Sequence, residues 1–320
     1  MAIASLIRLT RPANLAIVLV TMMVVRLFVI RPLADSTHMG RHYGLSWLHF
    51  IMLCAVALLL TAAGNIINDY FDQKVDRINK PDRVIVGKTV KRRVAIILHQ
   101  TLNTAALFLA ACLCYITGFW WPVVIPVVLS TILWWYSPVL KKKVLTGNIA
   151  IALCTSAVPL WAGLFELHML EREIGDLLYN RDQFFNFAWL VVISLCAIAF
   201  LLTLVREAQK DMEDLDGDKA GGYNTLPIIW GIYNTRKYVC GLLILYVLGI
   251  GAFIYLLLHL QWFHHYIVAC CAALLVIPTA LSIVLTWKAS TSRQFRQAST
   301  CTKWMMLCGL LVFSLLSCFA

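Results

Sequence analysis

Apolar residues fill nine runs of this chain, at about 12–30, 46–68, 94–115, 119–136, 147–167, 186–206, 237–258, 264–287 and 302–319, with short polar segments between them. A helix rising about 1.5 Å per residue crosses the roughly 30 Å of bilayer hydrocarbon in about 20 residues, and the runs approach that length. The pattern predicts an all-α membrane protein of nine transmembrane helices. No Ser/Gly-rich linker or low-complexity tract interrupts the 320 residues, so a single polytopic domain, 1–320, is expected. Arg8 and Arg11 lead straight into the first run without a small-residue cleavage site, which reads as a retained span rather than a signal peptide.

Composition agrees: 61% of residues are hydrophobic and 13% charged, against about a quarter charged in soluble domains. Of the 27 Lys and Arg, 22 fall on the side that holds the N-terminus, which by the positive-inside rule is cytoplasmic. A multi-pass protein of the inner or plasma membrane is expected. The net charge of +11 follows from the same rule and from anionic membrane lipid, so no nucleic acid is implied. Eleven cysteines scattered mostly through the runs, with no C-x-x-C pair, read as small packing residues.

Charge inside this apolar background is what carries chemistry. The second run ends in N-I-I-N-D-Y-F-D-Q-K-V-D, and helical spacing brings Asn65, Asn68, Asp69, Asp72 and Asp76 within about a third of a helix circumference. The sixth ends in K-D-M-E-D-L-D-G-D, with Asp211, Asp214 and Asp218 to one side. Carboxylates crowded in this way repel unless a cation lies between them. All-oxygen donors favour Mg²⁺, which keeps water and shares substrate phosphates. Cations are interleaved with the acids: Lys74, Arg77, Lys80, Arg83 and Lys88 after the first segment, Arg206, Lys210 and Lys219 around the second. Together they suit a diphosphate leaving group on a lipid-like substrate. Basic and Gly/Pro-containing sequence follows each acidic segment, which suggests two related helical halves.

These residues resemble the UbiA superfamily of intramembrane prenyltransferases. N-D-Y-F-D-Q-K-V-D is similar to its N-D-x-x-D-x-x-x-D motif and K-D-M-E-D-L-D-G-D to its K-D-x-x-D-x-x-x-D motif. The likeness continues through Arg11-Pro12-x-Asn14, W-Y-S-P-V-L-K from Trp135 and G-N-I-A from Gly147. What the resemblance implies is a nine-helix bundle around a central cavity, two Mg²⁺ ions and an isoprenyl diphosphate donor. Asp69, Asp72 and Asp76 would hold one ion, and Asp211, Asp214 and Asp218 the other. Asn14, Asn65, Asn68, Arg77, Lys80, Arg83, Tyr136, Lys141, Arg206 and Lys210 are the expected substrate-binding residues.

Within the family, D-R-I-N-K-P-D-R resembles the branch of digeranylgeranylglyceryl phosphate synthase, whose acceptor is geranylgeranylglyceryl phosphate. An aromatic or chlorophyllide-type acceptor is the alternative. Two departures stand out: Arg83-Val84-Ile85-Val86-Gly87 replaces the usual R-P-I-P-S-G, and Asn224 stands where a Lys or Arg commonly precedes T-L-P. From the residues alone, a divalent-cation transporter and a CDP-alcohol phosphotransferase also use clustered intramembrane acids. The first needs a polar route that the outer halves of the runs lack, and the second a D-G-x-x-A-R run that is missing.

Other polar residues have plainer readings. The segment 166–185 reads as a solvated loop or surface helix, and Arg26 as a side chain snorkelling to the outer surface. Trp134, Trp135 and Tyr136 fit an interfacial aromatic belt, with stabilisation of a carbocation by their ring faces as the alternative. Lys80, Arg83 and Lys88 lie on a segment that Pro81 and Gly87 keep from regular helix, as expected of a loop folding over a diphosphate.

Overall fold

The computed structural model describes residues 2–35, 44–178, 181–259 and 265–318, and these are helical with short connections. In chain order the helices are α1 (Ala2–Leu9), α2 (Pro12–Val24), α3 (Arg31–Asp35), α4 (Trp47–Phe71), α5 (Gln73–Asn79), α6 (Arg92–Thr117), α7 (Val124–Tyr136), α8 (Thr146–Ile174), α9 (Arg181–Glu213), α10 (Leu215–Ala220), α11 (Leu226–Ile229), α12 (Gly231–His259), α13 (His265–Lys288) and α14 (Ser292–Cys318). A π-helical stretch, Val25–Ile30, joins α2 to α3. Among the described residues, eight helical stretches are long and apolar enough to cross a membrane, and Trp121–Tyr136 is a shorter ninth. The fourth apolar run is thus helical but falls short of the usual spanning length.

The chain falls into two compact units. One comprises residues 1–140 and 157–196, the other 141–156 and 197–320. In the first, α4 packs against α2, α6 and α7. Leu9, Ile66, Val86, Val90 and Ala95 form a buried cluster at the acidic end of α4. In the second, α12, α13 and α14 pack in sequence, and a larger cluster runs from Leu202, Val205 and Ala208 through Leu243 and Tyr246 to Phe295 and Met305. Each unit carries one acidic segment.

Two expectations are corrected. Residues 166–185 do not form one solvated loop, because α8 continues to Ile174 and α9 begins at Arg181. Glu166 is buried, and it accepts from Arg26 at 2.5 Å. Arg26 therefore does not snorkel: it also donates to the Leu45 carbonyl at 2.6 Å and lies over the Trp47 and Phe50 rings, 4.4 and 4.5 Å from their centroids. A buried carboxylate on the neighbouring helix, with a ready carbonyl and two aromatic faces, holds the guanidinium better than a long reach to water.

Candidate active site

The first acidic segment is not one continuous helix. It breaks at Asp72, whose φ of −80° and ψ of 2° fall in the sparsely occupied bridge region, and α5 starts at the next residue. Helical bonding survives on both sides, since the Asp72 N–H reaches the Asn68 carbonyl at 3.0 Å and the Asp76 N–H the Asp72 carbonyl at 2.9 Å. Asn68, Asp69, Asp72 and Asp76 therefore stay in helical register across the break. Asp72 is buried, while Asp69 and Asp76 are partly exposed.

Neighbouring segments hold this one in place. Asn65 donates to the Thr10 carbonyl at 2.9 Å, Ser137 donates to the Asn68 side-chain oxygen at 2.9 Å, and Arg11 is bonded to Asp69. Burial opposes the charge on Arg11, yet Asp69, followed by Asp76 and Asp72, outweighs it and raises the Arg11 pKa. Asn14 is half-buried in the first turn of α2, its N–H on the Arg11 carbonyl at 2.8 Å.

Arg77 is exposed on α5, Lys80 ends that helix, and the Arg83 backbone closes a 3-10 turn, its side chain lying outside the described residues. The chain then folds into a tight turn in which the N–H groups of Lys88, Thr89 and Val90 all converge on the Ile85 carbonyl. Gly87 supplies the positive φ, 82°, that the turn needs. Val86 and Val90 are buried, so apolar anchors fix the segment where the family's prolines are missing.

The second unit repeats the break. α9 ends at Glu213, Asp214 adopts φ −96° and ψ 13°, and α10 follows with Asp218 buried. The Asp214 N–H bonds the Lys210 carbonyl at 2.8 Å and the Asp218 N–H the Asp214 carbonyl at 3.1 Å. Asn148 donates to Asp211 at 2.9 Å. Arg206 and Lys210 both bond the buried Glu207, at 3.0 and 2.6 Å, and Arg296 bonds Glu213 at 2.8 Å. Gln209, wholly buried, is satisfied by Thr286, Ser282 and Thr302, which fixes the rotation of α9 one residue before Lys210. The Asn224 N–H bonds the Lys142 carbonyl at 3.0 Å, and Lys141 and Lys142 lie over the Tyr223 ring, 6.0 and 5.7 Å from its centroid. This tether brings Lys141 within electrostatic range of Asp211, so a cation reaches the segment although Asn224 is not one.

Tyr136 ends α7, half-buried. Trp135 is exposed as a belt residue would be, but Trp134 packs against His99 and Phe71, at 5.4 and 6.4 Å between centroids, and so belongs to the interior of its unit. Sequence reasoning passed over Arg11, Ser137, Asn148 and Glu207 as site residues. The first three lie in the very segments that carried the family resemblance, and Glu207 is marked only by its three-residue spacing from Lys210.

Among the described residues, no group of three or more His, Cys, Asp or Glu is arranged to hold a metal ion unaided. Mg²⁺ takes one or two carboxylates and completes its shell with water and phosphate. All six candidate ligands offer oxygen.

The profile of the UbiA prenyltransferase family matches residues 38–312. The chain belongs to that family. It is a prenyltransferase, which decides against both the cation transporter and the CDP-alcohol phosphotransferase. Among its relatives, the digeranylgeranylglyceryl phosphate synthase of Methanoregula boonei is 30% identical over the full length of both chains. That of Methanoculleus marisnigri is 32% identical over 73% of this chain and 71% of its own. A solved structure of a digeranylgeranylglyceryl phosphate synthase superposes with a TM-score of 0.65 at 23% identity, covering 99% of this UbiA chain and 98% of that one. A UbiA homologue from Archaeoglobus fulgidus bound to DMAPP and Mg²⁺ superposes at 0.58 with 17% identity, over 97% and 99% of the two chains. Both share the fold.

Proposed function

We propose that this UbiA chain transfers a geranylgeranyl group from its diphosphate to geranylgeranylglyceryl phosphate, forming the second ether bond of a membrane lipid. The observation that carries the reading is the paired architecture: in each unit an Asp segment breaks at its middle carboxylate and has cations anchored beside it. Full-length similarity to digeranylgeranylglyceryl phosphate synthases favours the glycerol phosphate acceptor over an aromatic ring.

Asp69, Asp72 and Asp76 would hold one Mg²⁺ and Asp211, Asp214 and Asp218 another. When bound, the ions neutralise the diphosphate as it takes up the electron pair of the breaking C1–O bond. Arg77, Lys80, Arg83, Lys141, Arg206 and Lys210 supply further positive charge, Asn65, Asn68 and Asn14 set the segments that carry it, and Tyr136 offers an aromatic face to the allylic carbon. The acceptor hydroxyl oxygen attacks C1, and its proton passes to the departing diphosphate. The ordered turn 85–90 limits water access, because water would capture the same carbon as free prenyl alcohol. The N-terminus and both acidic segments face the cytoplasm, in keeping with the distribution of Lys and Arg.

Purified protein in lipid, given C10 to C20 isoprenyl diphosphates and a panel of acceptors, is expected to yield the C20 diether phosphate by mass spectrometry. Aromatic products without any ether lipid would sink the acceptor assignment. Asp72→Asn and Asp214→Asn keep side-chain volume, and each is expected to slow diphosphate release on the order of 10²-fold or more. Release at the parental rate in both variants would remove these residues from the reaction.

A further inference from the structure

We propose that Arg11 is the counter-cation of the first acidic segment in the metal-free protein, and that metal binding displaces its guanidinium from Asp69. The inference rests on the reading above, in which Asp69, Asp72 and Asp76 hold a divalent ion. Arg11 sits in the junction between α1 and α2 with φ 54° and ψ 71°. For a residue with a Cβ this left-handed conformation is strained, and it persists only where the surroundings impose it.

They do so here from three sides. The Arg11 N–H bonds the Arg8 carbonyl at 3.1 Å, the Arg11 carbonyl takes the Asn14 N–H at 2.8 Å, and Asn65 grips the preceding Thr10 carbonyl at 2.9 Å. Asn65 is one turn before Asp69 on α4, so the acidic helix itself holds the strained junction that delivers the guanidinium to it. The side chain ends on Asp69, where the charges of Asp76 and Asp72 also act on it.

Comparison with Arg26 separates this pair from a structural one. The Arg26 and Glu166 side chains are 13% and 3% exposed, and Arg26 is further held by a carbonyl and two rings. The Arg11 and Asp69 side chains are 40% and 16% exposed. Although burial opposes its charge, the Arg11 side chain keeps far more contact with water than that of Arg26, so leaving its partner costs it less. Three crowded carboxylates need positive charge whether or not a metal is present, and Arg11 supplies it at Asp69 until a divalent ion competes for the same oxygen. Once released, it stands beside the donor's diphosphate as one more cation.

Mn²⁺, read by electron paramagnetic resonance, tests this in the full-length protein, in an Asp214→Asn background that weakens the second site. Arg11→Gln is expected to tighten Mn²⁺ binding about tenfold, the effect of removing one charge from the edge of the site. Arg11→Lys, which keeps a charge but not the fork, is expected to fall between the two. In an added Asp69→Asn background the gain from Arg11→Gln is expected to shrink, because the competition is for that carboxylate. Thermal unfolding run in parallel identifies any variant that is misfolded; if Arg11→Gln is, the Arg11→Lys shift decides. Unchanged or weaker Mn²⁺ binding in a folded variant would overturn the inference while leaving the metal site in place. No Mn²⁺ binding by the parental chain would instead overturn the metal reading on which it rests.

Discussion

Arg26 and Glu166 form a buried charge pair, and removing one member would leave the other's charge uncompensated, Arg26 keeping only the Leu45 carbonyl and two rings. Glu166→Ala or Arg26→Ala is therefore expected to cost about 3–5 kcal/mol of stability. Replacing both by Leu and Met of similar volume is expected to recover most of the loss, measured as thermal unfolding in detergent. Equal additive losses in the double variant would show that the pair holds no shared term. At this scale the sequence was legible where it carried a motif. Asp69, Asp72, Asp76, Asp211, Asp214 and Asp218 announced themselves by spacing, whereas the partner of Arg26 could not be read, because Glu166 is 140 residues away and looked like the start of a solvated loop. Arg11 was visible as a charge ahead of the first run and as part of a resemblance, but no local pattern says which carboxylate a side chain will reach.

Helices were legible as apolar runs, and their ends were not. The period of the acidic positions suggested one unbroken face, and the residues do stay in register, but the backbone breaks at Asp72 and Asp214 leave no mark on that period. Close packing between α8 and α9 in the first unit depends on Gly163, where an added Cβ would lie 2.6 Å from a Val192 methyl. Gly163→Ala is expected to destabilise the protein by about 1–3 kcal/mol, and Val192→Ala in the same chain to restore part of that, in a thermal unfolding series. The turn at 85–90 gives a second expectation. Val86→Ala empties a buried anchor, so amide exchange across residues 84–91 should quicken and the share of free prenyl alcohol among products should rise. Slow exchange in that variant would mean that the Ile85 carbonyl alone holds the turn.

For the molecule as a whole, hydropathy gave the class and charge asymmetry gave the proposed sidedness. A cysteine placed at exposed Lys88 is expected to react with a membrane-impermeant maleimide from the cytoplasmic side, and one at exposed Leu177 from the opposite side, each above the background of native thiols. Labelling of both from one side would reverse the topology or show that the chain does not span as proposed. Division into two units was less legible, because they are not successive in the chain. Residues 141–156 belong to the second unit, yet they precede the last piece of the first, 157–196. During synthesis the first unit cannot close until Cys196 has been made, and by then sixteen residues of the second have already emerged and must wait for helices that the ribosome has not reached. Cutting the gene at the α8–α9 connection would therefore leave each fragment holding part of the other's unit. Neither half is expected to fold on its own, and co-expression is the only arrangement in which a split version of this enzyme should assemble.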